Sequence, residues 1–289
     1  MKKVRLLTGI IAVCCLVTAS YLSNARENVS EKMSINTVAE PEGTKTLHVE
    51  GGVTVTWIRD NAEESLRSRA TFPDASDSLI EELGLQDGIP SSTSAFLVEV
   101  NGIKVLVDTG NGGTRGCTLE RLKNLGIDPK DISYLFITHY HGDHIGGMMD
   151  GDKLVFPNAE VYAGRVEHEA WMNMAADKNA LQVKTMNAYK DHLHLFEFGD
   201  TLPGGFVAMD AVGHTPGHTA FQVGKLLIVA DIIHGAALQL KHPEICASFD
   251  MDKTKAVESR KRLLKYAKDN QLVIAGSHLP SPAFIENIQ

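Results

Sequence analysis

The most constraining stretch of this chain is ten residues long: Thr138-His139-Tyr140-His141-Gly142-Asp143-His144-Ile145-Gly146-Gly147. It follows directly on Ile132-Ser133-Tyr134-Leu135-Phe136-Ile137, a run that predicts a buried strand. Three histidines and an aspartate within six residues at a strand end suit metal ligation better than packing. Imidazole nitrogen and carboxylate oxygen are natural donors to Zn²⁺. The i, i+2 spacing of His139 and His141 lets an extended backbone aim both rings at one ion. Adjacent Asp143 and His144 can be turned toward a neighbouring point. Gly142, Gly146 and Gly147 permit close backbone approach.

A centre of this kind draws its remaining ligands from distant segments that also end strands. Gly213-His214-Thr215-Pro216-Gly217-His218-Thr219 follows the expected strand Phe206 to Val212. Ala230-Asp231 closes the expected strand Lys225 to Ala230, and Gly276-Ser277-His278 follows Leu272 to Ala275. Of His214 and His218 only one needs to ligate, and His214 can instead support a ligand or be structural. Strand ends are where a sheet scaffold presents a site.

The frame around these motifs is that of a globular enzyme. The 289 residues are 43% hydrophobic and 22% charged, enough to bury a large core without disulfides. The net charge is −8 and there is no Lys/Arg-rich stripe after the first few residues, so nucleic acid is a poor partner. Residues 1–25 have the anatomy of a signal peptide: Lys2, Lys3 and Arg5, an uncharged run from Leu6 to Leu22, then Ser23-Asn24-Ala25 before the cut. A periplasmic or secreted protein with no membrane attachment after cleavage is expected, with an uncleaved membrane anchor as the alternative. Losing those three basic residues takes the mature chain to −11. Residues 26–45 read as a flexible linker and 46–289 as one folded domain that carries these motifs. Cys117 and Cys246 survive cleavage, either as one disulfide or as free thiols.

Elsewhere, Leu47 to Trp57 predicts a strand pair around Gly51-Gly52. Ala95 to Asp108 predicts a hairpin about Asn101-Gly102, whose residues tolerate the positive φ of a two-residue turn. Helices are expected at Cys117 to Leu125, Val161 to Ala175, Ala180 to Asp191 and Met251 to Lys268. Asn61 to Ser92 is long for a connection and is read as a lid or a subunit contact, with a homodimer as one outcome. Strands followed by mixed strands and helices in each half suggest sheets covered by helices.

His-x-His-x-Asp-His, followed by Thr-Pro-Gly-His, Ala-Asp and Ser-His, resembles the metallo-β-lactamase superfamily over roughly Leu47 to Gln289. The resemblance implies an α/β fold, a four-layer αββα sandwich with the site at one edge of its sheets. It also implies two zinc ions: His139, His141 and His218 on the first, Asp143, His144 and His278 on the second, and Asp231 bridging. Asp231 stands where true β-lactamases of this fold tend to carry Cys or Ser, and His141 is not the Glu of the flavodiiron branch. The ending Gly276-Ser277-His278-Leu279-Pro280-Ser281-Pro282 is similar to the exported methyl parathion hydrolase-like group, near the lactonases.

Two cations about 3.5–4 Å apart can share a water and hold it as hydroxide near neutral pH. The implied reaction is hydrolysis of a neutral small ester: a lactone, carboxylic ester or phosphotriester. Asp143 orients the hydroxide and Asp231 bridges the ions. The alternatives are a β-lactamase-type amide hydrolase and a non-catalytic metal-binding protein on the same fold. Asp108 is the candidate to orient a ligand histidine, or else a turn cap. Tyr140 either faces the pocket or packs. Trp171 reads as core or pocket rim, and His168, His192, His194, His234 and His242 as structural or surface residues.

Overall fold

The computed structural model describes residues 39–288. The expected signal segment and residues 26–38 of the expected linker lie outside the described residues. The linker's end is shorter than the reading above: strand pairing already starts at Thr44, opposite Ile58.

Strands β1 (Thr44–Val49), β2 (Val53–Arg59), β3 (Ser94–Val100), β4 (Ile103–Val107), β5 (Tyr134–Ile137), β6 (Glu160–Gly164) and β7 (Leu193–Phe196) form a seven-stranded sheet in that order. The first four run antiparallel and β4 to β7 run parallel. The turn between β3 and β4 is the expected Asn-Gly, with φ of 52° at Asn101 and 77° at Gly102. A second, six-stranded sheet takes β8 (Thr201–Leu202), β9 (Phe206–Asp210), β10 (Thr219–Val223), β11 (Leu226–Ile228), β12 (Val273–Ala275) and β13 (Phe284–Ile285). The helices are α1 (Asp77–Glu82), α2 (Thr118–Asn124), α3 (Gly142–Ile145), α4 (Arg165–Met172), α5 (Ala176–Ala188), α6 (Ala236–Gln239) and α7 (Lys253–Asp269).

Alternation along the strands builds the layers, because successive side chains point to opposite faces. Val105 and Val107 of β4, Phe96 and Val98 of β3, and Phe136 of β5 enter the core shared with Phe206, Phe221 and Ile274 of the other sheet. Leu106, Leu97, Leu135 and Ile137 turn outward, onto Leu122 of α2, Trp171 of α4 and Met186 of α5. The Phe136 ring meets Phe206 edge to face at 5.1 Å, joining the two sheets. On the far side α7 buries Ala256, Ser259, Arg260, Leu263 and Ala267, a helical i, i+3, i+4 stripe, and leaves its lysines outside. Asp252 caps it through Lys255 N–H. The sheets are thus flanked by helices, an αββα arrangement.

Two expectations change. Val161 to Ala175 is not one helix: Glu160–Gly164 is β6, paired on both edges, and only Arg165–Met172 is helical. A short apolar run buried on both faces carries no period that separates strand from helix. Strand β10 is buried in the same way, whereas β7 is a half-exposed strand at the sheet edge. Among the described residues Cys117 and Cys246 are free thiols, Cys246 buried and Cys117 half-buried. Among the described residues, no helix is long and apolar enough to cross a membrane.

Candidate metal centre

Parallel pairing puts the C-terminal ends of β4 and β5 side by side, and those of β11 and β12 likewise. Chain leaving these ends carries Asp108, the His139–His144 run, Asp231 and His278, and the loop after β9 adds His214. Their side chains converge. His139 Nε2 lies 3.0 Å from His141 Nδ1, which lies 2.9 Å from His214 Nε2. His278 Nε2 is 3.0 Å from Asp231 Oδ2 and 3.4 Å from Asp143 Oδ2. His144 Nε2 is 3.2 Å from Asp231 Oδ1. Asp231 touches both halves of the cluster, with Oδ2 also 3.3 Å from His214 Nε2.

Both histidines of the Gly-His-Thr-Pro-Gly-His segment reach the cluster: His218 groups with His139 and Asp231, and His214 with His139 and His141. His218 Nδ1 donates to Ala211 O at 3.1 Å, so Nε2 carries its only lone pair. That lone pair accepts the Asp231 N–H at 3.1 Å. Burial, then the charge of His214, hold the ring neutral. His218 Nε2 thus lies inside the cluster, where His139, His218 and Asp231 can share an ion. His214 instead donates Nδ1–H to Asp250 at 2.9 Å and turns a free Nε2 lone pair toward His139, His141 and Asp231.

Each inward nitrogen is aimed by a partner on the ring's other side. Asp108 Oδ2 takes His144 Nδ1–H at 2.7 Å and the Thr138 hydroxyl at 2.8 Å, and Thr138 Oγ1 lies 3.0 Å from His139 Nδ1. Asp108 thus supports the cluster. It holds φ at 60°, a left-handed conformation unusual outside glycine. His278 Nδ1 donates to Ser92 O at 2.7 Å. Glu167, raised above the usual carboxylate range by burial, accepts from Tyr140 N at 2.9 Å, Gly217 N at 2.8 Å and Trp171 Nε1 at 2.6 Å. It binds the two histidine loops to α4. At Gly147 a Cβ would overlap Thr109 O, so only glycine lets that loop lie against β4's end.

The cluster has the marks of a cation site. His144 Nε2 and Asp231 Oδ1 are buried without a hydrogen-bond partner. Leaving such atoms unmatched is costly, and a cation between them satisfies both. His139, His218 and Asp231 form one group able to hold an ion and Asp143, His144 and His278 another, while His139, His141 and His214 also lie within reach of one another. Burial would raise Asp231, but His278 and His144 hold it well below the usual carboxylate range. Burial works against charge on His278, yet Asp231 and Asp143 hold it up at about 9.

With this geometry in view, the likeness to known proteins is specific. A model of the metallo-β-lactamase superfamily matches residues 88–278, more than half of the chain. The chain belongs to that superfamily. The N-acyl homoserine lactonase AttM of Agrobacterium fabrum is 29% identical over 184 residues, 57% of this chain and 65% of the relative. The chain thus spans less than two thirds of the length of the curated relatives it matches. AidC, a dizinc quorum-quenching lactonase solved in complex with a product, superposes at TM-score 0.76, with 28% identity, covering 84% of this chain and 92% of that one. AbOPH, a hydrolase in the β-lactamase superfamily, gives 0.75, with 27% identity and the same coverage.

On this superfamily scaffold the remaining expectations sort cleanly. Tyr140 packs in the outer core, its hydroxyl 3.1 Å from His168 Nδ1, and does not face the pocket. His192 and His194 pair with Glu160 at the surface, and His242 lies near Glu244. His234 does belong to the site: buried, 3.2 Å from Asp231 Oδ2 and stacked on His278. Its position three residues after Asp231 was the one available signal. Asp250, Ser92, Arg67 and Phe249 carried none, since each lies in a segment without a motif. The Asn61 to Ser92 segment is a built cap. A ribbon of Ser65–Arg67 with Ile89–Ser91, plus α1, packs on α6 around Phe72, Ile80, Ile89 and Leu238. It sets Arg67 beside Asp143, His214, His278 and Phe249 around a cavity of about 330 Å³.

Proposed function

We propose that the protein is an exported, dinuclear metal-dependent hydrolase of small ester-type substrates, with lactones first among them. The observation that carries this is the inward set of nitrogen and carboxylate donors, with His144 Nε2 and Asp231 Oδ1 buried and unmatched. His139, His141 and His218 would hold one cation, Asp143, His144 and His278 the other, with Asp231 between them. Zinc suits the donor set. When bound, such a pair supplies an acidified water and polarisation of the substrate oxygen.

The residues themselves do the rest. Asp143, 30% exposed at the cavity floor, is placed to accept a hydrogen bond from the attacking water and orient it. His234 beside Asp231 fixes that carboxylate's second lone pair. The exposed Phe249 gives the mouth an apolar wall suited to an acyl chain. The names of the lactonase relatives support the substrate class, and the basic and apolar residues of 1–25 support export.

The test is acid release in a pH-stat by zinc-reconstituted protein offered an acyl-homoserine lactone and a methyl phosphotriester. Faster lactone opening is expected. No release from either by protein holding two metals per chain would remove the ester reading.

A further inference from the structure

Arg67 reaches the mouth from the cap ribbon, half-buried, on a side of the cavity that no motif supplies. Its Nε donates to Ser91 Oγ at 3.4 Å, and Ser91 Oγ in turn donates to His278 O at 3.1 Å. Its guanidinium carbon lies 5.7 Å from the centre of the Phe249 ring. That ring stands 4.8 Å from His234 and 5.8 Å from His214. The side chain is thus held at Nε and along one face, and among the described residues its terminal N–H groups have no acceptor. The charges nearest it, Asp231 and Asp143, are those the cations would neutralise. A fork of donors, fixed in direction and lacking a counter-ion, is complementary to a planar oxyanion.

The three substrate classes share one change. Hydrolysis joins a water oxygen to the acyl carbon or phosphorus and breaks the bond to the leaving oxygen. One proton goes to that oxygen and one to solvent. A neutral ester, lactone or phosphotriester becomes a carboxylate or phosphodiester anion. We infer that Arg67, stacked on Phe249, is the residue that binds this product anion and the charge building toward it, while giving the neutral substrate little. Calling the anion a product rests on the hydrolase reading; the binding itself does not. An interaction stronger with the charged than with the neutral form raises turnover and also retards product release.

Calorimetric titration with hexanoate and with its neutral isostere hexanamide tests this on the metal-loaded full chain. Arg67→Gln should weaken hexanoate about tenfold and leave hexanamide within twofold, with metal content unchanged. Arg67→Lys, which keeps the charge without the fork, should recover part of the loss. Hexanoate binding within twofold of wild type in Arg67→Gln, or an equal loss for both ligands, overturns the inference. Neither result depends on turnover. If no ester is cleaved but hexanoate binding follows Arg67, the anion site stands and the hydrolase reading falls.

Discussion

His214 and His218 are four residues apart in one loop and both reach the cluster, His214 anchored by Asp250 and His218 by the Ala211 carbonyl. His218→Ala should lower bound metal from two ions per chain to about one, read by elemental analysis. His214→Ala should keep both ions and instead cost about 1–3 kcal/mol in denaturant unfolding, since the buried Asp250 loses this partner. Asp231→Ala removes the contact common to both halves, so turnover should fall about a thousandfold or more, together with metal content. Asp108→Asn should leave the fold intact and weaken metal binding about 10–100-fold in chelator competition. The ligand-bearing loops were legible in the sequence because imidazole and carboxylate at strand ends are chemically conspicuous. What anchors each histidine of that pair was not, because Ala211 O and Asp250 are marked by no local pattern.

At the scale of elements, the legible parts were those with a period or a turn. The Asn101-Gly102 hairpin and the amphipathic α7 came through because alternation and a 3.6-residue stripe are local properties. Strand β6 did not, since its burial between β5 and β7 is conferred by partners far along the chain. The cap from Asn61 to Ser92 was visible only as an overlong connection, because its core forms against α6. Loop contacts here are tight enough to test by adding one methyl. Gly147→Ala forces a Cβ into Thr109 O and should cost about 1–3 kcal/mol in unfolding free energy.

For the whole molecule, folding and metal binding are linked. The donors converge from both sheets, so an ion held among them stabilises only the folded chain. Chelation should lower stability by about 4 kcal/mol relative to protein in free metal at roughly a thousand times Kd. For a chain of this size that is roughly 8–16 °C in Tm. The pH dependence has a definite sign. In the metal-free protein Asp231 and its neighbours keep His278 at about 9 and His144 well above its ordinary value, so both are protonated near neutrality. A cation must displace those protons, and apparent affinity should fall steadily as pH drops. Calorimetry in two buffers of different ionisation enthalpy would count them.

One feature of the cap bears on how such enzymes can change. Ser92 supplies the carbonyl that aims His278, while Ser91 links the His278 backbone to Arg67. The cap is therefore wired to the inner machinery as well as to the doorway. Grafting a foreign loop between Asn61 and Ser92 would exchange the doorway but also loosen the aim of His278. A transplanted cap that omits both serines would arrive with a metal deficit, so recruitment of new substrates by loop exchange must carry this pair along.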